Sequence, residues 1–379
     1  MGRGMFGSGR RGVRLAGFGV SLLLLLSACA TSTGGTSSSP SAAASATPTT
    51  KFLACEVTDT GGIDDRSFNA SAWQGLQEAR QATGMSIKYL QSTSQSDYVP
   101  NIQSFVSKHC GIIVTVGFLM GTATQQAAKQ YPTQKFAIVD YSYTPAQAPN
   151  NNILGLTYQT DQDAFLGGYL AAAMSKSGKV GTFGGMDIPP VTIYMNGFVA
   201  GVRYYDQKNG KHVIPLGWDP EKNTGSFTNN FTNQAQGKTV TTALLNQGAD
   251  VIFPVAGSVG LGAAAAVQQY NQSNASSPAY MEWVDTDGCI SAPQYCSLFL
   301  TSVTKGIAVS VKDAAIAAMK GSFQGGSYVG TLANGGVALS PFHDFANKIP
   351  ASVQQALQTI SQGIQSGSIS VDPKKYPAP

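Results

Sequence analysis

Charge is scarce in this chain. Of 379 residues only 12% are Asp, Glu, Lys or Arg, and there are three histidines and three tryptophans. The formal net charge is +4, yet Arg3, Arg10, Arg11 and Arg14 all precede Cys29 with no acid among them. The remainder is therefore formally neutral, which tells against nucleic acid as a partner, because affinity for its backbone comes from neutralising phosphates. Patterns for metal binding and catalysis are equally thin. There is no Cys-x-x-Cys, and His109, His212 and His343 are scattered, as surface or satisfied structural residues would be. Gly237-Lys-Thr lacks the upstream glycine of a phosphate loop, and no Gly-x-Ser-x-Gly elbow occurs. The pair Asp64-Asp65 reads as acids at a helix N-terminus, favoured by the macrodipole, not as an acid–base pair. Gly260-Leu-Gly262-Ala-Ala-Ala265 with Glu282 has the spacing of a dinucleotide fingerprint. Gly257-Ser-Val separates it from the preceding strand, so it reads as a glycine-rich turn into an Ala-rich buried helix. These absences exclude a cofactor, a metal and a catalytic set from the expectation, and leave a binding protein that is not an enzyme.

What is present begins with an export signal. Arg10 to Arg14 form a basic stretch, and Leu22 to Leu26 lie in an apolar run too short to span a bilayer as a permanent helix. Leu26-Ser-Ala-Cys29 resembles the bacterial lipoprotein processing site. That resemblance implies a signal peptide over 1–28, cleavage before Cys29 and lipid attached to its sulfur. The protein is then expected on the extracytoplasmic face of the cell membrane. Residues 30–50 are rich in Ser, Thr, Ala and Gly without apolar periodicity. They form a flexible tether with a mean reach of roughly 25 Å.

The rest alternates strand and helix. Residues 52–57 read as a strand, and Phe68, Ala72, Leu76 and Ala79 recur on one helical face. Strands follow at 86–90, 112–116, 135–140 and 152–158, with helices at 98–109 and 122–130 between them. Strands separated by helices imply βαβ units and a parallel sheet. Thr160 with Asp163 has the spacing of a capping box for the next helix. A second α/β series then supplies strands at 180–183, 212–216, 251–255 and 279–284. Two such series imply two lobes. A late strand at 298–303, a helix at 307–319, a hairpin-like stretch at 325–339 and an amphipathic helix at 353–364 complete the chain. The expected partition is 51–158 with 284–303 in the first lobe and 159–283 with 304–379 in the second.

Four cysteines remain besides Cys29, an even number in an exported chain. Cys110 precedes the strand that should lie beside the one holding Cys55, and Cys289 and Cys296 bracket a short loop, so Cys55–Cys110 and Cys289–Cys296 are the expected disulfides. Polar and aromatic groups collect at predicted strand ends: Asp59, Phe68, Asn69, Phe118, Asp140, Phe227, Gly257, Asp285 and Lys305. In open α/β sheets ligands bind at the carboxyl ends of strands, so these groups are expected to face one cleft.

Thr58-Asp-Thr-Gly-Gly-Ile-Asp-Asp-Arg-Ser-Phe-Asn-Ala-Ser-Ala-Trp73 resembles the opening signature of the basic membrane protein family of bacterial lipoproteins. The similarity continues through Val116-Gly-Phe-Leu-Met-Gly121, Phe136-Ala-Ile-Val-Asp140, Val284-Asp-Thr-Asp287 and Thr301-Ser-Val-Thr-Lys305. Members are solute-binding proteins of ABC transporters and include a purine nucleoside receptor. The resemblance implies a type I periplasmic-binding fold of two Rossmann-like lobes joined by three crossovers. It implies a monomer that binds a nucleoside in the cleft and delivers it to an ABC permease. Carried over by position, Phe68 and Phe227 would stack on the two faces of the base. Asn69 and Asp140 would bond its edge, and Asp59, Gly257, Asp285 (or its neighbour Asp287) and Lys305 would hold the ribose. The alternatives are a receptor for another small solute such as a sugar or signalling molecule, a sensory receptor without a permease, or an exported nucleoside hydrolase using Asp59, Asp64 and Asp65 around a metal.

Overall fold

The computed structural model describes residues 51–378; the leader, Cys29 and the tether lie outside the described residues. The first lobe opens with β1 (Leu53–Thr58), α1 (Phe68–Thr83), β2 (Ser86–Leu90), α2 (Tyr98–Ser107), β3 (Ile112–Val116), α3 (Gly121–Gln130), β4 (Phe136–Val139) and β5 (Ile153–Tyr158). The second contains α4 (Thr160–Met174), β6 (Lys179–Gly184), α5 (Pro189–Asn209), β7 (Ile214–Leu216), a small antiparallel pair β8 (Trp218–Asp219) and β9 (Thr224–Gly225), and α6 (Gln234–Asn246). It continues with β10 (Val251–Val255), α7 (Val259–Ser273), β11 (Tyr280–Asp285), α8 (Gly288–Ser291) and β12 (Phe299–Lys305). The chain then returns to the first lobe for α9 (Ile307–Met319) and β13 (Gly326–Gly330), and crosses back for β14 (Val337–Leu339) and α10 (Ala351–Gln365).

Each lobe is a six-stranded sheet between helices. The first runs β13-β5-β4-β3-β1-β2, all parallel. The second runs β14-β12-β11-β10-β6-β7, parallel except for β14. Strands buried on both faces read as continuous apolar runs, and Ile112 to Val116 is one. Ile112, Val114 and Val116 pack towards α1 and α9, while Ile113 packs with Tyr98, Ile102 and Phe105 of α2. In the second lobe α4, α5 and α10 cover one face of the sheet and α6 and α7 the other.

Both expected disulfides are present. Cys55–Cys110 joins β1 to the residue leading into β3, with Cα atoms 6.0 Å apart. Cys289–Cys296 closes the loop after β11, with Cα atoms 4.5 Å apart.

Three expectations are corrected. Residues 299–305 belong to the second sheet, between β11 and β14, whereas α9 and β13 belong to the first. A strand buried at all but one of its positions carries no mark of which sheet it joins. The stretch 325–339 is no hairpin: β13 pairs with β5 and β14 with β12, so the turn between them is the third crossover, after 158–160 and 305–307. Thr160 and Asp163 form no capping box, because α4 starts at Thr160 itself and its cap residue is Gln159. The pair is thus one position too far into the helix for the reciprocal bonds.

The glycines of the fingerprint-like stretch serve packing. A Cβ on Gly262 would stand 1.9 Å from the backbone oxygen of Gln234 in α6, and one on Gly260 would meet the Trp283 ring at 3.0 Å. Gly262→Ala should therefore destabilise the protein by about 1–3 kcal/mol, the usual range for overpacking, read as a fall in the urea midpoint. Glu282, the acid of that pattern, is fully buried in β11, and among the described residues neither carboxylate oxygen has a hydrogen-bond partner. One oxygen lies where a Cβ on Gly167 of α4 would come within 2.6 Å. Burial pushes its pKa from the ordinary 4.5 up to about 8. The folded state thus favours the protonated acid. This stabilisation is complete below about pH 4.5 and is lost as pH rises through about 8. Glu282→Gln should gain on the parent across that window by on the order of a few kcal/mol, seen as a flatter profile of unfolding midpoint against pH.

Candidate functional site

The carboxyl ends of the two sheets face each other across a cleft lined from both lobes. The chain leaves β1 at Asp59, whose amide donates to Val116 O, and turns into α1 through two glycines. Asp65 stops the open end of that helix. Its carboxylate accepts from the amides of Ser67 (3.0 Å), Asn69 (2.8 Å) and Ala70 (3.0 Å). These amides lack intrahelical partners, and a negative charge there also meets the positive end of the macrodipole. Even so, burial holds the Asp65 pKa up at about 6.

Asn69 is fixed from the same side. Its Nδ2 donates to Asp59 Oδ1 (3.0 Å) and Asp65 Oδ2 (3.1 Å), while its Oδ1 is buried with no partner among the described residues. Asp59 Oδ1 also accepts from the amide of Gly61 at 2.9 Å. Burial raises the Asp59 pKa, with these two hydrogen bonds pulling against it. Gly117, at the end of β3, gives this carboxylate room. Its φ is +119°, and a Cβ there would come within 2.4 Å of Asp59 Oδ2. The position therefore admits glycine on both steric and backbone grounds.

The other side of the cleft is organised by Lys305, the last residue of β12. Its Nζ lies 2.6 Å from Asp140 Oδ2 in the first lobe and 3.8 Å from Asp285 Oδ1 in the second. All three side chains are at most 8% exposed. Asp140 and Asp285 each follow or end a strand in the left-handed region, at φ 64° and 66°. Backbone of that kind is unfavourable for a non-glycine residue and persists where surroundings enforce it. Here it turns both carboxylates towards one ammonium. Burial raises the Asp140 pKa, and Lys305 opposes that rise. Asp285 also accepts from Ser67 Oγ (2.6 Å) across the lobes and from Tyr194 Oη (3.1 Å) of α5. Ser67 Oγ also lies within 3.1 Å of Val284 O. The ammonium sits 5.2 Å from the centre of the Phe68 ring and 5.0 Å from that of Tyr194.

Eight of the nine expected residues line this cleft: Asp59, Phe68, Asn69, Phe118, Asp140, Gly257, Asp285 and Lys305. Phe227 does not. Its ring packs edge-on against Trp218, 5.9 Å between centres, beside β6. The aromatics lining the cleft from the second lobe are Tyr194 and Phe231, and the backbone oxygen of Phe231 accepts from Ser258 Oγ at 2.8 Å. A phenylalanine in the polar run 228–233 is the signal that marks it, because an aromatic in such a loop has little else to cover. Tyr194 and Ser67 also escape sequence reasoning: each becomes significant only through Asp285, which lies far away in sequence. Asp287, the alternative to Asp285, is turned elsewhere. It accepts from the amide of Cys289 and contacts His343 Nε2 at 2.7 Å. The acids proposed for a metal do not converge, since Asp64 is exposed and Asp65 is occupied by three amides. Among the described residues, Asp287, Cys289 and His343 lie close enough to share an ion, but the Cys289 sulfur is in a disulfide.

What this arrangement can do is grip a small molecule that offers hydrogen-bond donors and a flat face. Four carboxylates and one ammonium line the cavity, so donors such as hydroxyl and amine groups are favoured and an anion is opposed.

The family described as Bmp, ABC transporter substrate-binding protein PnrA-like, matches residues 52–375. An ABC transporter nucleoside-binding protein, BmpA, of Lactococcus lactis is 31% identical over 342 residues, covering 86% of this chain and 90% of its own. A lipoprotein of Pyrococcus horikoshii is 32% identical over 289 residues, covering 74% of this chain and 66% of its own. Among solved structures, an ABC transporter solute-binding protein of Aeropyrum pernix superposes with a TM-score of 0.73 at 25% identity, covering 84% of this chain and 92% of that one. The fold is that of the type I periplasmic-binding proteins, and the chain belongs to the Bmp family of PnrA-like substrate-binding proteins of ABC transporters.

Proposed function

We propose that the protein binds a nucleoside, with purine nucleosides as the first class, and passes it unchanged to an ABC permease. The observation that carries this reading is the pairing of aromatic walls with a donor-seeking cavity. Phe68 comes from the first lobe and Phe231 from the second, and both line a cleft rich in carboxylates. A heterocyclic base has two faces to stack and an edge of N–H groups. Ribose supplies hydroxyls for Asp59 and Asp285, and Asn69 Oδ1 is a buried acceptor awaiting a donor. The name of the Lactococcus relative supports the same class. Cys29 carries the lipid in this reading, so a monomeric receptor is held at the extracytoplasmic face of the membrane, and closure of the lobes about three crossovers retains the ligand.

Calorimetric titration with inosine and adenosine tests the proposal, with chromatography of the incubated mixture checking that no free base is released. Phe68→Ala and Phe231→Ala should each weaken binding about tenfold to a hundredfold, the range for one base–aromatic stack. Phe227→Ala should leave affinity within about threefold of the parent, since its ring packs on Trp218. Equal losses at positions 227 and 231 would contradict the second wall assigned above. Inosine 5′-monophosphate should bind at least tenfold more weakly than inosine, because only Lys305 among the lining residues offers positive charge. Equal affinity for the two would remove the electrostatic argument.

A further inference from the structure

The cleft does not stop at Phe118 and Asp140. A second groove continues from it, bordered by the same Phe118, Asp140 and Pro190. Its first-lobe wall is made by the rings of Tyr141 and Tyr158 together with Ser142 and Thr157. Its second-lobe wall is Pro189, Pro190 and Ile193, from the start of α5. The rings are held in place. Tyr141 leans on Phe118 with centres 5.2 Å apart and on Tyr143 at 4.8 Å, and Tyr143 Oη donates to Gly121 O at 2.6 Å. Tyr158 Oη is paired with Ser310 Oγ at 2.6 Å, so its polar tip is satisfied within the protein. Asp140 is the one Asp, Glu, Lys or Arg bordering the groove, and it is already paired with Lys305. A slot with rings on one side, prolines on the other and no free charge suits a flat, uncharged, apolar group.

Asp140 decides how such a group is attached. Its Oδ2 accepts from Lys305, whereas among the described residues Oδ1 makes no hydrogen bond. In the nucleoside reading, on which this inference rests, Oδ1 accepts from the edge of the base. An exocyclic amine with one substituent keeps one N–H for that bond and points its substituent past the carboxylate, into the groove. We propose that the ligand range extends to purine nucleosides carrying a flat apolar substituent on the exocyclic amine, which is seated between Tyr141 and Tyr158 on one side and Pro189 and Pro190 on the other.

The test is calorimetry with adenosine, N6-benzyladenosine and N6,N6-dimethyladenosine. The benzyl derivative should bind at least as tightly as adenosine, and the dimethyl compound, which has no N–H for Asp140, at least tenfold more weakly. Ser142→Trp, which places a bulky ring in the groove, should cost the benzyl derivative at least tenfold more than it costs adenosine. If adenosine binds and N6-benzyladenosine does not, or if Ser142→Trp weakens both equally, the groove is no subsite and the inference fails while the nucleoside reading stands. If inosine binds and neither adenosine compound does, the inference fails while the nucleoside reading stands; if inosine does not bind either, the nucleoside reading itself fails and takes the inference with it.

Discussion

The ammonium of Lys305 lies between two carboxylates that belong to different lobes, Asp140 and Asp285, and is almost shut off from solvent. Removing charge from water is costly unless the charges are paired and hydrogen-bonded. The pairing fixes much around it. Asp285 is held further by Ser67 from the opposite lobe and by Tyr194. The Phe68, Tyr158 and Tyr194 rings gather about the ammonium within 6 Å, which orients the aromatic wall. The left-handed backbone at both aspartates is the local cost of aiming them. Recognition and lobe–lobe contact therefore share the same side chains, and a ligand that bonds to them acts on both at once.

The fold explains why these residues meet. Both sheets point their strand ends into the cleft, and each glycine or aspartate at such an end begins a turn instead of another rung. Only three short crossings connect the lobes, so a rotation about them disturbs few packed side chains. The chemistry that results is that of capture. Asp65, the acid nearest to a catalytic pair in sequence, spends its oxygens on the first turn of α1.

Much of this was legible in the residues, for physical reasons. Strands such as 112–116 and helices such as 307–319 announce themselves because burial on both faces and the 3.6-residue period leave different marks. Asp59, Phe68 and Asn69 of the first lobe lie within one short motif, so their meeting is local. What escaped depends on distance or on lost periodicity. Helix α5 is buried at nearly every position from Gly197 to Arg203, so it has no polar face to reveal it. The lobe assignment of β12 and the parting of β13 from β14 are decided by pairing partners far off in sequence. Phe227 and Phe231 are four residues apart in a loop, where no periodicity tells which ring faces the cleft. Their places follow from Trp218 and Ser258, which claim one each.

The first sheet is closed at one edge by β13, a strand synthesised long after its neighbour β5 and separated from it by most of the second lobe. Until residues 326–330 emerge, β5 presents a bare row of amides and carbonyls, the kind of edge that invites pairing with other chains. The first sheet is therefore complete only when residues 326–330 pair with β5, so neither lobe is built from a single unbroken stretch of the chain.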